Sequence, residues 1–494
     1  MSLVVLPIII PILGAGATLV VSRSVRLQRS VGFLVLLATL GASIALLVEV
    51  EANGIATIDL GGWPAPIGIT LVADLAATMF LVISMAVILL VHVYSIGQRC
   101  DLDGPAIFHP VYLVLAAGVG MSFLTGDFFN LFVAFEVMLL ASYVLITLGA
   151  GRERVRAGMT YVVINLLAST MLLAAVGLVY GATGTVNMAD LVTKFEALPE
   201  SSRIGFGVLL LAVFAIKSAI FPFFFWLPDS YPTAPISVTA VFAGLLTKVG
   251  IYTMIRTTTI LDLDEVQPLL LAAAGVTMVI GVIGAVAQAD IKRILSFHII
   301  SQVGYMLMGL AIYTVAGLAG AVLYVVHQIP VKTALFLVGG LVEETTGTAA
   351  LHRLGGLIRR APVIAALFAI PALGVAGLPP FSGFLAKLSV VQAGLAAEEY
   401  AVVAASLFAS LLTLFSMSKI WVGVFWGEPD EPTPVLADPD GGTLRPPRLM
   451  VWATVGMCAL TLIVPVFGMQ VYDLSERAAV QLLDRAGYAE AVLP

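Results

Sequence analysis

Glu136, Lys217, Lys248, Lys332 and Lys387 each interrupt an apolar stretch long enough to cross a bilayer, and His298 and His327 lie in two such stretches. A charge at bilayer depth costs roughly 3 kcal/mol or more, so it persists where it pairs, faces a wet cavity or carries ions. Lysine, glutamate and histidine all exchange protons, and neutral imidazole both accepts and donates one. A chain that places this many ionisable groups inside lipid is most simply a conduit for protons or other cations.

The elements that must hold these groups follow from composition. Apolar residues make up 60% of the chain and charged ones 11%, against about 45–50% and about 25% in ordinary soluble domains. The fold class expected is therefore an all-α polytopic membrane protein. Fourteen stretches reach the roughly 20 apolar residues a transmembrane helix needs: 2–22, 30–50, 73–96, 106–125, 128–150, 158–181, 205–227, 234–256, 267–288, 293–314, 317–342, 362–395, 400–426 and 449–471. The tenth and eleventh divide at Thr314–Gly317. The first run starts at Leu3 with no basic leader or cleavage site and is expected to remain as a span. Cys100 and Cys458 match no metal or redox spacing, and nucleotide-binding and zinc patterns are absent, so neither a nucleotide-driven pump nor a metalloenzyme finds support. No cofactor and no nucleic-acid partner are expected.

Orientation follows from the basic residues in the loops. One set of alternate loops holds Arg23, Arg26, Arg29, Arg99, Arg152, Arg154, Arg156, Lys292, Arg293, Arg353, Arg359, Arg360, Arg445 and Arg448; the other set, with the tail, holds Lys194, Arg203, Arg256, Arg477 and Arg485. The bias places the first set in the cytoplasm and both termini outside.

An internal repeat organises the middle of the chain. Tyr161-Val162-Val163, Gly177-Leu178-Val179 and Thr183-Gly184-Thr185 recur, displaced by 163 residues, as Tyr324-Val325-Val326, Gly340-Leu341-Val342 and Thr346-Gly347-Thr348. Phe135-Glu136 and Tyr143 answer to Phe297-His298 and Tyr305, and Pro222-Phe223 to Pro380-Phe381. Spans four to eight thus match spans nine to thirteen. Because five is odd, equivalent helices run antiparallel, giving two inverted five-helix repeats. The domains expected are an N-terminal three-helix segment (1–105), the first repeat (106–258), the second, inverted repeat (259–426) and a closing segment (427–494) with a loop, the last span and an outer tail. Pro222 in span seven and Pro379-Pro380 in span twelve remove backbone donors, so helices 7 and 12 are expected to be discontinuous where they line a hydrated cavity. The alternative is that these prolines kink packed helices.

The strings GDFFNLFVAFEVMLLASYVLI, LLLAVFAIKSAIFPFFFWLPDSYPTAP, VFAGLLTKVGIY, DIKRILSFHIISQVGY and GLPPFSGFLAKL resemble the signature segments of the antiporter-like subunits of respiratory complex I and of multisubunit Na+/H+ antiporters. The resemblance covers nearly the whole chain. Its length, the opening LVVLPIIIPILGAG and the segment SMSKIWVGVFWGEP are similar to the MrpD/MnhD family of Mrp antiporter components. The resemblance implies a glutamate in span five, here Glu136, paired with the lysine of the broken span seven, here Lys217. It also implies that Lys248 leads onward to the second half-channel, where Lys387 holds the terminal position. An opposite charge favours the protonated ammonium of Lys217 and burial disfavours it, so moving or neutralising Glu136 would release the proton. A static buried ion pair is the competing reading.

His298 and His327 stand between Lys248 and Lys387 as relay candidates or as packing histidines, and Lys332 either relays or snorkels toward a helix end. Asp74 resembles a family acidic position, with a solvated interfacial carboxylate as the equal alternative. Lys419 is expected to snorkel; His92, His109 and His352 sit near span ends with no functional reading. The stretch 427–448 is expected to run over the cytoplasmic face. Leu474, Ala478, Leu482 and Ala486 mark a short amphipathic helix on the outer surface. Function is expected to be cation/proton antiport as one component of a hetero-oligomer in a prokaryotic cell membrane, with Na+ and H+ as the ions. The alternatives are a proton-pumping component of a complex I-like or hydrogenase redox complex, and a scaffold that does not conduct.

Overall fold

The computed structural model describes residues 2–98, 107–149, 151–429, 431, 433, 436 and 444–493. Helices α1 (Leu6–Val20) and α2 (Val25–Asn53) lead into an antiparallel hairpin, β1 (Ala56–Asp59) and β2 (Thr70–Ala73), in which Ala56 pairs with Ala73. The chain is therefore nearly, not wholly, helical. Then come α3 (Leu75–Gly97), α4 (Phe108–Leu124), α5 (Phe128–Thr147), α6 (Arg152–Thr183), the short α7 (Met188–Glu196), α8 (Glu200–Ser218), α9 (Trp226–Ser230) and α10 (Ile236–Leu261). After these follow α11 (Gln267–Ala287), α12 (Ile291–Ala311), α13 (Val315–Thr346), the single turn α14 (Leu357–Arg360), α15 (Pro362–Ala376), α16 (Ser382–Ala396) and α17 (Tyr400–Trp421). Among the described residues, twelve helical segments are long and apolar enough to cross a membrane; α4, α15 and α16 are shorter apolar helices.

Side-chain caps set where the helices begin. Asp74, Asp127, Asp290 and Thr314 each accept from a backbone N–H three residues on, starting α3, α5, α12 and α13. Gly184 and Gly347 close α6 and α13 in the left-handed conformation, and each of these two helices is 32 residues long. The loop after each is tied alike to the start of the helix before it, α5 or α12, by the isolated bridges Asp127–Asn187 and Asp290–Ala350. Thr183 donates to the Val179 and Thr185 carbonyls as Thr346 does to those of Val342 and Thr348.

Burial runs against hydropathy in the way lipid dictates. The least apolar spanning helices, α10, α12 and α13, are buried over nearly their whole length, while the more apolar α2, α6 and α11 show much of their surface. Polar side chains avoid hydrocarbon by facing protein, so the three central helices carry Lys248, His298, His327 and Lys332 inside the bundle.

Two segments are interrupted. Between α8 and α9 the chain turns through Ala219–Pro222 and a 3-10 turn at Phe223–Phe225; between α15 and α16 it passes through Gly377–Phe381. Pro222 and Pro379-Pro380 lie in these gaps.

At the C-terminus, helices Gly468–Leu483 and Arg485–Val492 replace the one short surface helix expected. The first buries Ser475, Ala478, Ala479 and Leu482 against α13 and α3, whereas Ala486 is exposed. Most of 430–443 lies outside the described residues, as does Cys100. Cys458 is a buried free thiol.

Candidate functional site

Lys217 is the penultimate residue of α8, so the turn that ends the helix decides where its side chain goes. Ala219 adopts φ +56°, and the Ile216 carbonyl accepts from both the Ala219 N–H at 3.2 Å and the Trp226 indole at 3.0 Å, so the helix end is tied within the protein. The Lys217 ammonium donates to Ser169 Oγ on α6 at 3.1 Å and stands 4.8 Å from the centroid of the Phe135 ring. Among the described residues it makes no ion pair, so the direct contact expected with Glu136 is absent. The reason is azimuth: adjacent residues of a helix do not face the same way, and on α5 it is Phe135 that points at the ammonium. Glu136 reaches Lys217 only through its field, and one of its carboxylate oxygens is buried with no hydrogen-bond partner in the protein.

The second break seats a lysine more tightly. Lys387 on α16 reaches back to the last carbonyl of α15, donating to Ala376 O at 3.1 Å, and also donates to Ser410 Oγ on α17 at 2.8 Å. Its ammonium lies 5.3 Å from the Tyr305 ring centroid. Gly377 makes this possible: it ends α15 at φ +82°, and a Cβ there would fall 2.7 Å from Lys387 Cδ.

Between the breaks lie the groups of the central helices. Lys248 donates to the Ala243 carbonyl of its own helix at 2.5 Å. Lys332 is fully buried with no hydrogen-bond partner in the protein, which excludes snorkelling, and it lies within the electrostatic reach of Lys248 and Lys387. His298 Nε2 contacts Ser416 Oγ at 2.5 Å, and His327 Nδ1 contacts Ser382 Oγ, at the start of α16, at 2.7 Å. The second ring nitrogen of each histidine has no partner, and both rings feel Lys332 and Lys387. Each imidazole is thus held by one nitrogen and open at the other.

Sequence reasoning missed the neutral residues among these charges. Gln302 Oε1 accepts from the Tyr324 hydroxyl at 2.6 Å and from Gln328 Nε2 at 3.0 Å, and the Tyr305 and Tyr324 rings stack 5.2 Å apart. In the sequence the two tyrosines stand out only as repeat markers. Amides such as Gln302 and Gln328 in otherwise apolar helices were the signal available.

Other expectations change. Asp74 is not a solvated interfacial group: it is buried and paired with Arg256. Arg256, expected at the loop-facing end of its span, lies inside α10, because the helix runs on through Thr257–Leu261. Lys419 donates to the Val286 and Gln288 carbonyls at 3.0 and 2.6 Å, capping the C-terminal end of α11. His92 and His109 form a buried contact at 3.2 Å, and His352 is exposed.

Residues 125–413 match the family described as NADH:quinone oxidoreductase/Mrp antiporter, TM. The chain is 44% identical to the D component of the Na+/H+ antiporter of Alkalihalophilus pseudofirmus, over 100% of this chain and 99% of that one. It superposes on a chain of the Mrp complex from a Dietzia species with TM-score 0.92 at 34% identity, covering 100% of both. It also superposes on a chain of the membrane-bound sulfane sulfur reductase, an archaeal respiratory complex, with TM-score 0.90 at 26% identity, again covering 100% of both.

Proposed function

Because the chain belongs to the NADH:quinone oxidoreductase/Mrp antiporter family of transmembrane proteins, we propose that it is the MrpD-type component of a hetero-oligomeric Mrp antiporter in a prokaryotic cell membrane, moving protons in exchange for Na+. The observation that carries this reading is that Lys217, Lys248, Lys332, His298, His327 and Lys387 are all buried, with Lys217 and Lys387 beside the two helix breaks; in this reading they form one line. Antiporter relatives share more of the sequence than the redox complex does, which favours antiport over a redox-driven pump.

In this mechanism Glu136 sets the charge state of Lys217 from a distance. The cations of Lys248, Lys332 and Lys387 oppose one another's occupancy, so arrival of a proton at one site favours departure from the next. The imidazoles span the gaps through their open nitrogens, and the amide–tyrosine group around Gln302 supplies polar lining.

Fourteen crossings result if α4 counts as a span and each interrupted pair, α8 with α9 and α15 with α16, counts as one. The inverted repeat is supported by the equal lengths of α6 and α13, and by the paired loop bridges and threonine caps displaced by 163 residues. The four divisions 1–105, 106–258, 259–426 and 427–494 follow from it. The basic loops then face the cytoplasm, and the C-terminal helices face outward.

Coexpressed with its partner subunits in cells lacking Na+/H+ antiporters, the chain is expected to be required for Na+-dependent proton exchange in everted vesicles. Equal exchange with and without this chain, the other subunits being assembled, would sink the reading.

A further inference from the structure

One polar line leaves the central series without belonging to it. Lys248, Tyr252 and Arg256 stand four residues apart on α10, hence along one side of the helix, and Arg256 lies about 12 Å along the axis from Lys248. Arg256 donates to the Tyr252 hydroxyl at 3.1 Å and pairs with Asp74 at the start of α3; Tyr252 donates to the Phe123 carbonyl at 2.7 Å. Buried ion pairs are poor sources of stability. Helix α10 also carries three buried threonine hydroxyls with no partner in the protein, at Thr247, Thr257 and Thr258, flanking the lysine and the arginine. Unpaired hydroxyls in lipid-depth packing are costly and suit a polar path.

The far end of the line has a cover. The Tyr488 ring, from the last helix of the chain, lies 5.3 Å from the Arg256 guanidinium. That helix is fastened by polar contacts: Arg485 pairs with Glu196 and Asp262 at 2.7 and 2.9 Å. Just before it, Gln481 accepts from the Leu75 N–H at 2.9 Å.

We propose that Tyr252, Arg256 and Asp74 form a branch of the transport line, connecting Lys248 to the face that carries the C-terminal helices, with Tyr488 as its cover. Arginine stays charged, so it does not carry the proton. Its part is to occupy the Asp74 carboxylate while paired and, on leaving, to free it to take a proton. The Lys248 ammonium gives a proton to the Tyr252 oxygen, which turns its own O–H from the Phe123 carbonyl and passes that proton to Asp74; Asp74 then releases it to the aqueous face and pairs again with Arg256, and Lys248 is reloaded from the central series.

This inference rests on the antiport reading. Its test uses the whole complex in proteoliposomes, comparing Tyr252→Phe, the uncharged pair Asp74→Leu with Arg256→Met, and Lys217→Ala. At equal assembly, Tyr252→Phe and the uncharged pair are expected to lower maximal exchange roughly tenfold with the apparent KM for Na+ unchanged. Wild-type exchange by the assembled uncharged pair would reduce Asp74–Arg256 to a static ion pair and overturn the proposal; should that variant not assemble, wild-type exchange by Tyr252→Phe does the same. If Lys217→Ala also exchanges normally, it is the antiport reading that fails. An inactive Lys217→Ala beside a fully active Tyr252→Phe counts against the branch alone.

Discussion

Lys217→Ala is expected to abolish Na+-dependent proton exchange in everted vesicles while the complex still assembles, a loss of about 100-fold or more, as for removal of a proton-transfer group. The lysine sits where α8 ends, anchored by Ser169 and the Phe135 ring, so its loss removes a titrating site without removing a core hydrophobe. Glu136→Gln is expected to have nearly the same effect, because Glu136 acts by its charge and not through a hydrogen bond to the lysine. The neutral amide preserves shape and deletes the field. Normal exchange by an assembled Lys217→Ala complex would leave the lysine a structural role; normal exchange by Glu136→Gln would separate the glutamate from the mechanism.

Lys387→Ala is expected to be as damaging, and Lys419→Ala is not. Both lysines lie on adjacent helices and both bind backbone carbonyls, which makes the contrast informative. Lys387 bridges the carbonyl end of α15 to Ser410 beside Tyr305, at the second break. Lys419 binds the carbonyl end of α11, so its removal is expected to cost about 1 kcal/mol of stability, the worth of a helix-end contact, and to leave the exchange rate per assembled complex unchanged. Loss of exchange on changing Lys419 alone, with assembly intact, would show that the route passes along α11 and α17 instead.

The sequence made the breaks and the charged groups legible, because prolines and ionisable residues are rare in apolar segments and each has a physical consequence there. Azimuth was not legible. Nothing in the spacing of Phe135-Glu136 told which of the two faces α8, and the structure turns the ring, not the carboxylate, toward Lys217. Helix ends were also blurred. The run Thr257–Leu261 carries no stop signal until Asp262, and Arg256 therefore sits within α10 instead of in a loop. The hairpin at 56–73 escaped notice because its strands are four residues each, too short for the alternation of Ala56–Asp59 to stand out, and are separated by a Gly- and Pro-rich link. Serines 169, 382, 410 and 416 were invisible as lysine and histidine partners for a simpler reason: small hydroxyls are common in membrane helices, and only three-dimensional packing selects the ones that meet a charge.

The buried lysine line is tested at Lys248 by measuring proton and Na+ fluxes together in proteoliposomes of the Lys248→Ala complex. Both fluxes are expected to fall together, with assembly as in the wild type. Coupled exchange at the wild-type rate and stoichiometry would contradict it, because protons would then be crossing by a path that does not use the buried lysine line.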